Sequence, residues 1–177
     1  GSSAGQVAAA VTNADYDNLE ALEAFAKSID VATFEFENIP IESLRFIAQH
    51  VPVHPGENAL SVAQDRGDEK AFLQSIDIPV SPYRIVENVK DLEQGLLELG
   101  RPAVLKTARL GYDGKGQVFI DEKVDPAEAF AEMGAARGVL EKWVDFKLEI
   151  SVIAARSADG SSDCYVPVEN QHRDHIL

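Results

Sequence analysis

The sequence predicts a mixed protein in which part of an open α/β domain precedes a second module of α+β type. Three observations lead there. Residues 1–60 run in the order helix, strand, helix, as in an open α/β sheet. Pro79 and Pro82 make an extended link. Beyond them, short apolar runs at strand spacing are cut by glycines and interleaved with two helices.

Leu19, Leu22, Phe25, Ala26 and Ile29 recur three and four apart and predict a first helix, with Asp15 or Asp17 near its start. VATFEF at 31–36 is apolar, β-branched or aromatic except for Glu35, and reads as a buried strand. Pro40 opens a helix carrying Leu44 and Ile47, and residues 51–53 form a short strand running into the turn HPG. From Ser61 one helix is expected, with Ala63, Arg66 and Lys70 on successive turns and Phe72, Leu73 and Ile76 as its apolar side. Residues 83–86 read as a strand, and 89–99 as a helix closed by Gly100. Then come a strand at 103–107, a hairpin at 109–120, a helix from Pro126 to about Met133, and strands at 138–144, 147–156 and 163–168.

With 177 residues, 45% of them apolar, the chain can build one good core or two small ones. No apolar run approaches the roughly 18 to 20 residues of a membrane span, and no basic or apolar leader opens the sequence, which starts GSS like an expression scar or a cut. Cys164 is the only cysteine, so an internal disulfide is impossible and a cytoplasmic setting is expected. A net charge of −14 opposes nucleic acid and anionic membranes as partners. The cations are unevenly spread: residues 61–120 hold 8 of the 16 Lys and Arg, residues 1–60 only 2. This clustering marks either a solvated face or a local anion site.

RLGYDGKGQ at 109–117 sits directly after the apolar run that ends at Lys106. Glycines let backbone N–H groups approach a phosphate, and Lys106 and Lys115 supply charge. A flexible surface hairpin would have the same composition, and neither GxxxxGK[ST] nor GxGxxG is present. In LEKWVDFKLE at 140–149, backbone groups of Lys142, Trp143 and Val144 after Glu141 would suit an adenine edge, and Glu149 a pair of ribose hydroxyls. An amphipathic strand with a packed Trp explains the same residues. Glu169, Asn170, His172 and His175 gather near residue 177 without the spacing of metal ligands. Strand alternation would put Glu35 and Glu37 on one face with Thr33, where α/β sheets meet ligands, unless they simply face solvent.

Taken in order, TFEFENIP, QDRGDEKAFL, VLKTARLGYDGKGQ, LEKWVDFKLEISVIAAR and YVPVENQHRDHIL closely resemble the ATP-grasp family of 5-(carboxyamino)imidazole ribonucleotide synthases of purine biosynthesis. The resemblance covers nearly the whole chain. It implies that residues 1–60 are the C-terminal part of a pre-ATP-grasp α/β domain, and that 61–177 are an ATP-grasp module up to the start of its second lobe. It implies ATP-dependent carboxylation of 5-aminoimidazole ribonucleotide by bicarbonate through carboxyphosphate, in a homodimer. By the same resemblance Arg66 and Lys106 hold phosphates, and the segment from Gly111 through Gly114 and Lys115 to Gly116 is a lid over them. Tyr112 and Asp113 would meet the aminoimidazole nucleotide, and Glu35 or Glu37 would approach that substrate from the first domain. Glu141 to Val144 would form the adenine hinge and Glu149 the ribose contact, with Asn170 and His172 lining the cleft. The family's Mg2+ ligands fall beyond Leu177, so little or no turnover is expected of these residues alone. The competing expectations are a non-catalytic fragment that keeps part of the nucleotide surface, or another ATP-grasp carboxylate–amine ligase.

Overall fold

The computed structural model describes residues 3–111 and 115–171. They fall into two compact units, Gly1–Pro79 and Val80–Leu177, dividing inside the proline link.

In the first unit, α1 (Leu19–Ala26) is capped by the Asn18 side chain, which accepts from the Ala21 amide at 3.0 Å. α2 (Ile41–Ala48) follows Pro40. The helix expected from Ser61 is two helices, α3 (Glu57–Ala63) and α4 (Arg66–Ser75). The break has a local cause. The Asp65 carboxylate caps α4 by accepting from the Gly67 and Asp68 amides, and the buried Gln64 side chain donates to the Glu37 and Ile39 carbonyls. Two small cores result, one around Ala26, Ala32 and Ile47, the other around Ile39, Leu44 and Leu60.

The strands expected at 31–36 and 51–53 shrink to one parallel bridge between Ala32 and Val53. Ala32 donates to the Pro52 carbonyl and accepts from the His54 amide, both at 2.9 Å. Pro52 has no N–H with which to extend the pairing on one side, and on the other the chain turns through Pro55 into α3.

The second unit is built on an antiparallel sheet in the order β1-β4-β2-β3: β1 (Tyr83–Val86), β2 (Ala103–Thr107), β3 (Gln117–Ile120) and β4 (Gly138–Lys142). α5 (Val89–Leu99) and α6 (Pro126–Met133) cover one face. Alternation decides which side chains they bury: Ala103 and Leu105 of β2, Val118 and Ile120 of β3, Val86 of β1 and Leu140 of β4 join Leu92, Leu96, Ala129 and Met133 in one core.

The last expected strands are shorter and divided. β5 (Ile150–Ser151) pairs with β8 (Val168–Glu169), and β6 (Ala154–Arg156) with β7 (Ser162–Cys164). One residue, Val152, separates the bonded positions Ser151 and Ile153, whereas Val166 and Pro167 separate Tyr165 from Val168 on the return. The extra residue is a bulge, placed where Pro167 cannot donate to a ladder.

Candidate functional site

The sheet face away from α5 and α6 carries the side chains that alternate with the core set. Lys106 faces Val139 across the β2–β4 pair, and Val104 faces Glu141. Facing residues of an antiparallel pair project to the same side, so Lys106 and Glu141 are diagonal neighbours there. The Lys106 ammonium donates to Glu141 Oε2 at 3.1 Å, and the Ser81 hydroxyl donates to the same oxygen at 3.3 Å. The two charged side chains are 28% and 14% exposed, so the pair is partly withdrawn from water yet open to a ligand. An ammonium has three donors, and one is directed at Glu141.

At the rim of this face Trp143 meets Phe119 edge-on, ring centroids 5.1 Å apart, and both rings stay about half exposed. The segment after β4 is anchored on both sides: the Lys142 amide donates to the Pro82 carbonyl at 2.9 Å, and the Trp143 amide to Pro102 at 3.2 Å. The Val144 carbonyl accepts from the Phe146 amide at 3.1 Å, which turns the chain. Of the backbone groups expected to meet a base, the amides of Lys142 and Trp143 are therefore already engaged.

Glu149 and Asn170, 21 positions apart, come together where β5 and β8 pair. The Asn170 side-chain amide donates to the Glu149 carboxylate at 2.7 Å, and the Asn170 N–H to the Glu149 carbonyl at 2.9 Å. One carboxylate oxygen is thus held by the side chain that shares its expected cleft.

Between β2 and β3, Gly111 and Gly116 frame the hairpin and Lys115 is exposed. Gly116 has φ +69, and its carbonyl accepts from the Thr107 amide at 2.7 Å. A Cβ there would stand 2.8 Å from Thr107, so glycine is required both by conformation and by space. Tyr112, Asp113, Gly114 and His172 lie outside the described residues.

Arg66 opens α4 in the first unit, beside the capping Asp65. Glu35 and Glu37 are exposed in that unit on irregular backbone. The alternation expected to align them with Thr33 does not exist, because a single bridge at Ala32 is no strand. Glu35, together with Thr33 and Phe34, lines a cavity of about 280 Å³ whose walls include apolar residues of α1 and α2. Among the described residues, no group of three His, Cys, Asp or Glu side chains is placed to hold a metal ion.

Register, which spacing alone does not fix, supplies what sequence reasoning missed. Ser81 as a further partner of Glu141 beside Lys106, Phe119 as the ring against Trp143, and the two prolines facing Lys142 and Trp143 all depend on which strands are neighbours.

The ATP-grasp domain family matches residues 71–177, and the ribonucleotide synthetase preATP-grasp domain family matches residues 1–64. The N5-carboxyaminoimidazole ribonucleotide synthase of Pseudomonas aeruginosa is 42% identical over 164 residues, which are 93% of this chain and 46% of that protein. A crystal structure of the ADP complex of an N5-carboxyaminoimidazole ribonucleotide synthetase is 41% identical with a TM-score of 0.92, covering 98% of this chain and 46% of that one. The Aspergillus clavatus synthase in complex with ADP and 5-aminoimidazole ribonucleotide is 25% identical with a TM-score of 0.85, covering 98% and 46%. The chain spans about half the length of these relatives.

Proposed function

Because the chain belongs to the ATP-grasp family, we propose that its residues form a nucleotide-holding part of a ligase that makes N5-carboxyaminoimidazole ribonucleotide in purine biosynthesis. The observation that supports this reading best is the Lys106–Glu141–Ser81 cluster, partly exposed on the sheet face away from the helices and directly before the segment whose Lys142 and Trp143 amides are anchored. A phosphate, a base and the link between them could lie along that face.

In this reading ATP phosphorylates bicarbonate to carboxyphosphate. The amino group of 5-aminoimidazole ribonucleotide then attacks the carboxyl carbon, a C–N bond forms, and phosphate leaves beside ADP. Each residue has a part that its chemistry allows. The Lys106 ammonium keeps one N–H on Glu141 and turns its remaining donors to phosphate oxygens, where charge-assisted bonds are strongest. Arg66 and Lys115 add positive charge, which a triphosphate needs in a chain of net charge −14. Gly111 and Gly116 let the lid backbone approach the phosphates. Glu149, oriented by Asn170, accepts from the ribose hydroxyls. Tyr112 and Asp113 on the lid and Glu35 or Glu37 in the first unit are proposed for the aminoimidazole substrate, with His172 beside the cleft.

No helix among the described residues is long and apolar enough to cross a membrane; the working enzyme is proposed as a cytoplasmic homodimer that uses Mg2+. The test is phosphate release by the protein containing these residues, with ATP, Mg2+ and bicarbonate present. Release that depends on 5-aminoimidazole ribonucleotide is expected. Release driven equally by unrelated amines would assign the chain to another carboxylate–amine ligase.

A further inference from the structure

β4 lies between β1 and β2, and facing residues of an antiparallel pair exchange two backbone hydrogen bonds or none. The Lys142 amide donates to Pro82, so Lys142 directs its N–H and C=O toward β1, as Leu140 and Gly138 do earlier in the strand. Ordinarily residue 82 would return a bond to the Lys142 carbonyl. Proline has no N–H, and the return bond cannot form. On the other side, Pro102 takes the Trp143 amide and likewise returns nothing. Two prolines therefore hold this segment by its amides while leaving its carbonyls without their ladder donors.

Continuing the alternation of β4 past its end at Lys142, the next backbone donor on the β1 side is the N–H of Val144, two residues on. A carbonyl and then an N–H on one strand edge match the 6-amino group and the N1 acceptor of adenine. A 6-oxopurine presents an oxygen and an N1–H there, which reverses both partners. We infer that Pro82 is a positioning residue for purine selectivity: by withholding a donor, it keeps the Lys142 carbonyl available to a 6-aminopurine nucleotide and sets the preference over 6-oxopurines. This inference rests on the nucleotide reading proposed above.

The experiment is calorimetric titration of the protein containing these residues and of its Pro82→Ala variant with ATP and with inosine triphosphate. Alanine supplies the missing N–H, which pairs with the Lys142 carbonyl. ATP binding is expected to weaken about five-fold, the fold-change of one hydrogen bond worth about 1 kcal/mol, with inosine triphosphate binding unchanged. A loss shared equally by both nucleotides would mean mere structural damage and overturn the inference, as would no change in either. Hydrogen exchange reads the variant independently: slow exchange of the amide introduced by Pro82→Ala supports the new pair, and fast exchange sinks it. The unsubstituted chain gives a further reading through the carbonyl 13C resonance of Lys142. ATP but not inosine triphosphate should move it, and an equal response to both overturns the assignment. If the unsubstituted protein containing these residues binds neither nucleotide, the nucleotide reading itself fails, which differs from binding both without preference.

Discussion

Lys106 and Glu141 are 35 positions apart, and their pairing depends on one fact of register: Val104 faces Glu141, which places Lys106 one diagonal away on the same face. Replacing Lys106 by methionine keeps the stem and removes the charge. ATP binding should then weaken by about 10- to 100-fold, on the scale of a hydrogen bond to a charged group at about 1.5–3 kcal/mol; titration calorimetry checks it, and unchanged affinity would remove Lys106 from the phosphate site. Asp159 is a second residue whose surroundings set its chemistry. In the turn between β6 and β7 its carboxylate accepts from the Ser157 hydroxyl and from the Ser161 amide at 2.9 Å, bonds that hold it down to about 2. A depressed value means the turn is stabilised above the ordinary carboxylate range and loses that support as pH falls from about 4 through about 2. Side-chain carboxyl chemical shifts against pH should show a midpoint near 2, and a midpoint near 4 would mean that the bonds do not form in solution.

At the scale of elements, α6 shows what is legible: Asp125 caps it by accepting from the Ala127 and Glu128 amides, and Pro126 sits at its first position, as the sequence announces. β4 shows the opposite. Nothing in the sequence says that Gly138 must be glycine, yet a Cβ there would stand 2.4 Å from the Met133 sulfur of α6 and 2.8 Å from the Lys106 carbonyl. The sulfur can swing away, whereas the β2 backbone cannot. Gly138→Ala is therefore expected to cost about 1–3 kcal/mol, the range for overpacking, and to show as a lower denaturant midpoint with unchanged slope. An unchanged midpoint would mean that β2 and β4 are less tightly joined than their register implies. Helices α3 and α4 illustrate a third case, since a continuous apolar side hid a break that Gln64 makes by spending its amide on the Glu37 and Ile39 carbonyls.

For the whole molecule, the two compact units differ in how much they bury. The second sets its sheet and two helices around one core with Leu105, Leu140 and Ile120 fully enclosed, while the first divides its apolar residues between two small clusters. Amide exchange should follow that difference, slowest at Leu105 and Leu140 and faster at the lone Ala32 and His54 bonds of the first unit. Equal protection in both would refute it. The sequence by itself determined the fold class, the helices at 89–99 and 126–133, the strands at 83–86 and 103–107, and the stretches whose chemistry suits a nucleotide. Those features rest on local causes: side-chain period, caps, and the charge and glycine content of one loop. Only the tertiary structure decided that Lys106 meets Glu141 and Ser81, that Glu149 meets Asn170, that residues 33–37 form no strand, and which proline faces which amide. These outcomes depend on strand order and register, which are fixed by how the whole core closes and by where a proline withholds its hydrogen bond.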